Sequence, residues 1–174
     1  MLKISMLSIA LVMSLVLAHA EAATLPIFAV EASTFQVPNA PGNAIDGDLG
    51  TRWSAQGDGQ HITFELELCN TVSGIKVAWY QGDNGRIASF DVQVSDDGSV
   101  WADVHSGQSA GNTLALQGVD FPDTPACFVR IVGHGNTVND WNSITEVVVE
   151  GPNGNTVPVD LSALEAICAP LLAQ

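Results

Sequence analysis

The chain has 174 residues, with nineteen Asp and Glu against five Lys and Arg and a formal net charge of −14. That length accommodates one domain and a leader. The charge excludes nucleic acid and anionic lipid as partners, because the field of the whole molecule repels them.

The leader comes first. Lys3 precedes an apolar run over residues 4–17, and Ala18-His19-Ala20 places small residues where a signal peptidase cuts. The run falls short of the ~20 residues that span a bilayer. No cysteine follows it, which argues against a lipoprotein. Residues 1–20 are therefore expected to be a secretory signal peptide, and the protein secreted or periplasmic. Their removal leaves Arg52, Lys76, Arg86 and Arg130 against nineteen acids, a net charge of −15.

Residues 25–35 then read as an apolar, strand-like run that Pro38 and Pro41 turn into a loop. The loop, A-I-D-G-D-L-G-T-R-W over residues 44–53, carries Asp46, Asp48 and Thr51 on a glycine-bent backbone. Such loops gather oxygen atoms around a hard cation. An EF-hand is excluded, since Gly57 occupies the twelfth position counted from Asp46, where that motif needs glutamate.

Short alternating runs follow. Ile62, Phe64, Leu66 and Leu68 share one face, as do Ile75, Val77 and Trp79 in the next run. Residues 90–94, 114–119, 128–132 and 144–150 continue the pattern, with Gly, Asn and Asp between them. Period-two alternation at this spacing predicts an all-β, antiparallel β-sandwich. The sandwich is expected over residues 21–151, with residues 152–174 as a tail. There Leu161, Leu164, Cys168 and Leu171 line one face of a short helix, capped by Asp160 or Ser162 and limited by Pro170.

Three cysteines in a chain bound for an oxidising compartment allow one bridge. Cys69 ends one predicted strand and Cys127 begins another, so antiparallel neighbours could bring them together, with Cys168 spare. Pairing of Cys127 with Cys168 is the fallback. No C-x-x-C spacing indicates zinc.

Two polar loops carry the candidate ligand groups. Tyr80 and Arg86 flank the first, residues 80–86, with Tyr80 alternating to the face opposite Trp79 and Arg86 able to hold a carboxylate in a fork. The second, residues 133–143, is loop by composition and holds His134, Asn139 and Trp141. Two readings fit Trp141: a ring stacking on a sugar, or a lid folded onto the core. Trp79 and Trp101 are expected in the core. Residues 107–111 spell G-Q-S-A-G and match the nucleophile-elbow pattern. That elbow needs a strand before it and a helix after it, and residues 112–117 alternate as a strand instead. No catalytic residue is assigned.

Four blocks, residues 44–53, W-S-A-Q-G-D-G-Q over 53–60, S-F-D-V-Q-V-S-D-D-G-S-V-W over 89–101 and V-R-I-V-G-H-G-N-T-V-N-D-W-N-S-I-T-E-V over 129–147, together resemble the discoidin-like, factor V/VIII type C family. Within it they are most similar to carbohydrate-binding modules of family 32, the kind appended to alginate and related polysaccharide lyases. The resemblance implies a galactose-binding-like jelly-roll sandwich and a structural Ca2+. Asp46 and Thr51 would ligate that ion through side chains, Asn43 and Asp48 through carbonyls, and Glu146 as the closing carboxylate. Trp53 would hold the ion loop against the sandwich. The lyase-associated relatives carry a lysine where this chain has Gln81, a departure that argues against a strongly anionic sugar.

The implied function is non-catalytic binding of a plant or algal polysaccharide, uronic-acid-containing or alginate-like, through Tyr80, Arg86, His134, Asn139 and Trp141. A separate polysaccharide-degrading enzyme is the expected partner. The alternative is a cell-surface or protein adhesion module of the discoidin type. Apolar spikes on the loops would favour adhesion, and the loops read as polar.

Overall fold

The computed structural model describes residues 22–153. The expected signal peptide, the C-terminal helix and Cys168 lie outside the described residues.

Eight strands form an antiparallel sandwich: β1 (Ala22–Leu25), β2 (Ile27–Ala32), β3 (Trp53–Gln56), β4 (Gln60–Trp79), β5 (Ala88–Ser95), β6 (Ala102–Gln108), β7 (Gln117–Asn136) and β8 (Trp141–Asn153). The hydrogen-bonded order is β1-β8-β4-β7-β5-β6, with β2 on β4 and β3 on β8. Pro26, which cannot donate to a ladder, separates β1 from β2 where the sequence read as one run.

Two twenty-residue strands make the layers. The first half of β4 pairs with β2 and with residues 128–133 of β7, while its second half pairs with β8 and residues 117–120. Each of these strands therefore runs through both layers. The runs at 61–68 and 75–79, read as separate strands, are one strand that shifts register between Glu65 and Asn70. Over residues 67–70 neither face is buried, so alternation disappears although the backbone stays extended.

The disulfide sits at that crossover. Cys69 and Cys127 are bonded, with Cα atoms 4.0 Å apart. Four residues of β4 here oppose a single residue of β7, and the bridge ties the bulge shut.

The core lies between the layers. Ile62, Phe64, Val72, Ile75, Val77, Val92, Val129, Ile131 and Val149 are fully buried, alternating as β-branched and aromatic residues do on an inward face. Trp79 packs on Phe90 with ring centroids 4.9 Å apart. Trp53 is fully buried, and its indole donates to the Thr34 carbonyl at 3.0 Å, pulling the segment before the ion loop onto the sandwich.

Trp101 departs from expectation. It is half-buried and outside the core cluster, with the Arg130 guanidinium 3.9 Å over its ring. Residues 112–116 are bend and irregular rather than strand, and β7 begins at Gln117. The segment read as loop over 133–143 is mostly strand: β7 ends at Asn136 and β8 starts at Trp141, leaving a four-residue hairpin connection.

Candidate carbohydrate cleft and cation loop

The loops at one end of the sandwich build two adjoining sites. The first is the loop over residues 43–51, expected to hold an ion. Pro41–Ala44 make a single 3-10 turn, and the chain then bends through Gly47 at φ 76°, a conformation glycine adopts without the Cβ penalty. Thr51 Oγ1 lies 2.7 Å from Asp46 Oδ2, 3.1 Å from the Asp48 carbonyl and 3.3 Å from the Asn43 carbonyl. Glu146, from the middle of β8, accepts the Gly47 N–H at 3.0 Å. All five residues expected to hold a cation thus converge across a hundred residues of sequence.

Two acids meet here without a basic side chain between them. Burial, followed by the Asp46 charge, raises Glu146 above the ordinary carboxylate range, against the Gly47 hydrogen bond that lowers it. Among the described residues no three His, Cys, Asp or Glu side chains are grouped so that they alone could hold a metal ion, so any ion here would rely on neutral oxygens as well. A set of carboxylate, hydroxyl and carbonyl oxygens, without sulfur or imidazole, fits a hard cation of calcium's kind and not zinc.

The second site begins one residue later. Arg52, Tyr80, Arg86, Trp141 and Ser143 line an open cleft of ≈ 270 Å³. The Arg52 guanidinium lies 4.0 Å from the Tyr80 ring centroid, and that of Arg86 lies 5.9 Å from it. Arg52 is steadied by a hydrogen bond from Nε to Ser54 Oγ at 3.0 Å, and Ser54 by Ser143 at 2.8 Å. The ion loop reaches this site directly, since the Asn43 side-chain amide donates to the Arg52 carbonyl at 3.0 Å.

Arg86 is anchored from two loops. Its Nη1 donates to Gln81 Oε1 at 3.0 Å and its Nη2 to Asn139 Oδ1 at 2.9 Å, while Nε is buried with no hydrogen-bond partner. Gln81 is held at φ 55°, the one positive value outside glycine among the described residues. Asn139 and Asn136 clasp the β7–β8 connection, with Asn136 Nδ2 donating to the Trp141 carbonyl at 2.7 Å and to Asn139 Oδ1 at 3.0 Å. Trp141 is half-buried on this frame. Beneath it Asn142 accepts from the Gly135 N–H at 2.7 Å and donates to the Gly57 carbonyl at 2.8 Å, joining β8 to β7 and to the end of β3.

Tyr80, Arg86, Asn139 and Trp141 are therefore brought together. His134 stands apart. Its Nδ1 meets Asp58 at 2.6 Å and its Nε2 meets Asp91 at 2.9 Å, so both ring nitrogens are engaged away from the cleft lining. Arg52 is the residue sequence reading missed. Its signal lay in scarcity: only four permanent cations follow the leader, and two of them meet here.

The G-Q-S-A-G segment forms no elbow. Ser109 is buried, and its hydroxyl accepts the Ala88 N–H at 2.9 Å. Irregular and bend residues follow it, not a helix.

Comparison with known proteins places this geometry. The family model for the F5/8 type C domain matches residues 29–147. The solved family 32 carbohydrate-binding module (CBM32) of AlyQ, in complex with 4,5-unsaturated mannuronic acid, is 46% identical with a TM-score of 0.71, over 73% of this chain and 97% of that one. A truncated AlyQ holding CBM32 and alginate lyase domains is 43% identical with a TM-score of 0.75, over 79% of this chain and 35% of that one. A pectin-binding carbohydrate-binding module is 26% identical with a TM-score of 0.69, over 72% and 91% respectively. Among curated relatives, a sialidase of Micromonospora viridifaciens is 29% identical over 63% of this chain and 18% of its own length. The chain spans about a fifth of the length of the curated relatives it matches, so it corresponds to a module of such enzymes. The modules it is similar to bind carbohydrate without catalysis, and the chain belongs to the F5/8 type C, discoidin-like domain family.

Proposed function

We propose that the protein is a secreted, non-catalytic module that binds a short uronic-acid-containing stretch of a plant or algal polysaccharide. The observation that carries this reading is the pair of guanidiniums flanking Tyr80 in a molecule otherwise dominated by acids. Two of four cations would not converge on a cleft meant for a neutral ligand, since bringing like charges together costs energy that an anion recovers. Arg86, fixed in the cleft lining by Gln81 and Asn139, presents a positive charge for a sugar carboxylate. Trp141 and Tyr80 supply the apolar surface on which a sugar ring rests. Arg52 and Arg86 supply positive charge in a cleft whose Gln81 carries none. The mannuronic acid in the AlyQ complex and the pectin recognised by the other module are consistent with an acidic sugar.

The repulsion of a −15 molecule does not forbid this. Screening confines it to ~8 Å at physiological salt, whereas the arginines act at contact. A single short subsite implies modest affinity, around 10⁻⁴ M.

A calcium ion at the Asn43–Asp46–Asp48–Thr51–Glu146 loop would serve structure. It would neutralise Asp46 against Glu146 and fix the loop that feeds Arg52 into the cleft. A polysaccharide-degrading enzyme, fused or separate, is the natural partner, as in the AlyQ chain that joins CBM32 to alginate lyase.

One observation favours the adhesion reading. Val37, Leu114 and Val138 are 80%, 47% and 69% exposed on loops beside the cleft, so this end is less polar than composition implied. Affinity electrophoresis separates the two. Polymannuronate in the gel should retard the protein, and Arg86→Ala and Trp141→Ala should migrate freely with unchanged melting temperatures. Equal retardation of both variants, or binding to phosphatidylcholine vesicles without retardation, would refute the sugar site.

A further inference from the structure

The far end of β5 carries a second concave surface. Ala88 lines the inner wall of the cleft and Ser95 lines this other groove. Seven residue steps of extended chain separate them, roughly 23 Å. The groove encloses ≈ 290 Å³, and Asp96, Asp97, Val100, Trp101 and Pro125 form its walls.

Its frame is rigid. Asp97 Oδ1 accepts the backbone N–H groups of Ser99 at 2.8 Å and Val100 at 2.9 Å, together with the Ser95 hydroxyl at 3.1 Å. The Trp101 indole donates to the Gly98 carbonyl at 3.1 Å, which fixes the ring, and the Arg130 guanidinium sits 3.9 Å over it. Arg130 is itself held by Gln93 Oε1 at 2.8 Å. The Asp96 carboxylate and Asp97 Oδ2 accept no hydrogen bond from the described residues. Val100 is 75% exposed, an apolar side chain left facing solvent beside a tryptophan.

Each feature narrows the ligand. Apolar walls with an aromatic ring suit the C–H face of a pyranose, and free carboxylate oxygens suit vicinal hydroxyl donors. Two carboxylates at the rim repel a uronate. A cation is disfavoured as well, because Arg130 already occupies the attraction of the indole ring. What remains is an uncharged, hydroxyl-rich ring of monosaccharide size.

We propose that this groove is a second carbohydrate subsite, selective for a neutral pyranose stacked on Trp101 and Val100 with hydroxyls donated to Asp96. The module then has two ends of opposite preference, acidic sugar at Arg52–Arg86 and neutral sugar at Trp101. Such a module suits a mixed polysaccharide, or two chains held side by side, where the second contact raises avidity without raising either affinity.

The two indoles report the two sites separately. Nitrogen-15-labelled full-length protein is titrated with four neutral methyl pyranosides (gluco, galacto, manno and xylo) while the Trp101 and Trp141 indole N–H resonances are followed. At least one sugar should shift Trp101 and the amides of residues 96–100 saturably, with a dissociation constant on the order of 10⁻³–10⁻² M. Arg86→Ala should leave that titration unchanged. Val100→Asp, at an exposed position that folding tolerates, and Asp96→Ala should each weaken it at least about fivefold. No saturable Trp101 shift with any of the four, shifts confined to Trp141, or an unaltered titration in Val100→Asp would overturn the proposal.

Discussion

The guanidinium of Arg52 lies 4.0 Å from the ring centroid of Tyr80, and this contact joins the two sites at the loop end of the sandwich. Arg52 follows directly on Thr51, whose hydroxyl stands at the focus of the ion loop. Asn43 spans both, with its carbonyl toward Thr51 and its side-chain amide on the Arg52 carbonyl.

Cation removal should therefore be felt twice. Chelation is expected to lower the melting temperature, since an ion bound only by the folded state stabilises it by RT ln(1 + [L]/Kd), about 2.7 kcal/mol at a hundredfold excess over Kd. It should also weaken sugar binding by a few-fold through Arg52, while Thr51→Val should reproduce both effects and gain nothing from added calcium. Calorimetry with and without a chelator checks this, and an unchanged transition in metal-free protein contradicts it.

The Cys69–Cys127 bridge joins residues 58 positions apart in sequence and ties the crossover of β4 and β7. Replacing both cysteines with serine should cost about 3–5 kcal/mol in the chain-entropy account. Urea denaturation of the double variant measures the loss directly.

His134 links the loop at Asp58 to β5 at Asp91, and stability should follow its charge. Hydrogen bonds that His134 donates to Asp58 and then to Asp91 raise it above its ordinary 6.5. Its contribution is complete below that value and is lost as pH rises through the higher folded value. Asp91 is lowered below its ordinary 3.8, chiefly by the Ser106 hydrogen bond and also by His134. Its contribution is complete above 3.8 and fades as pH falls through the lower folded value. The melting temperature should plateau between 3.8 and 6.5 and decline as pH rises past 6.5 through the raised value of His134. In His134→Gln the alkaline decline should vanish.

Much of the fold was legible because its core strands alternate. Ile62, Phe64, Ile75, Val77, Val92 and Ile131 are buried as their spacing predicts. The junctions were not legible, for physical reasons. Residues 67–70 pass between layers with neither face covered, so β4 looks broken in the sequence. Residues 133–136 look like loop because glycines are needed there. Gly135 takes φ 77°, and a Cβ on Gly133 would collide with the Asn142 side chain. Asn43, Asp46, Asp48, Thr51 and Glu146, named as ion ligands from family resemblance, converge in space. Arg52 and the second environment of Trp101 depend on contacts between distant strands, which spacing along one chain does not encode.

Asn142 makes that last point testable. It is buried, and its side chain satisfies a donor on β7 and an acceptor beyond β3. Asn142→Ala should destabilise by about 1–3 kcal/mol for the orphaned groups, and Gly133→Ala by a similar amount through overpacking. Both should also weaken polysaccharide retention, because Trp141 rests on this frame. Thermal melts paired with retention assays separate the two losses.

The central claim is that the Arg52–Tyr80–Arg86 cleft recognises a sugar carboxylate, and one titration addresses it. A mannuronate tetrasaccharide and its carboxyl-reduced counterpart, identical in length and linkage, are titrated calorimetrically into the protein and into Arg52→Ala. The parent protein should bind the acid form near 10⁻⁴ M and the reduced form at least about tenfold more weakly, with Arg52→Ala losing most of that difference. Equal affinity for the acid and reduced sugars, or discrimination undiminished in Arg52→Ala, would contradict it.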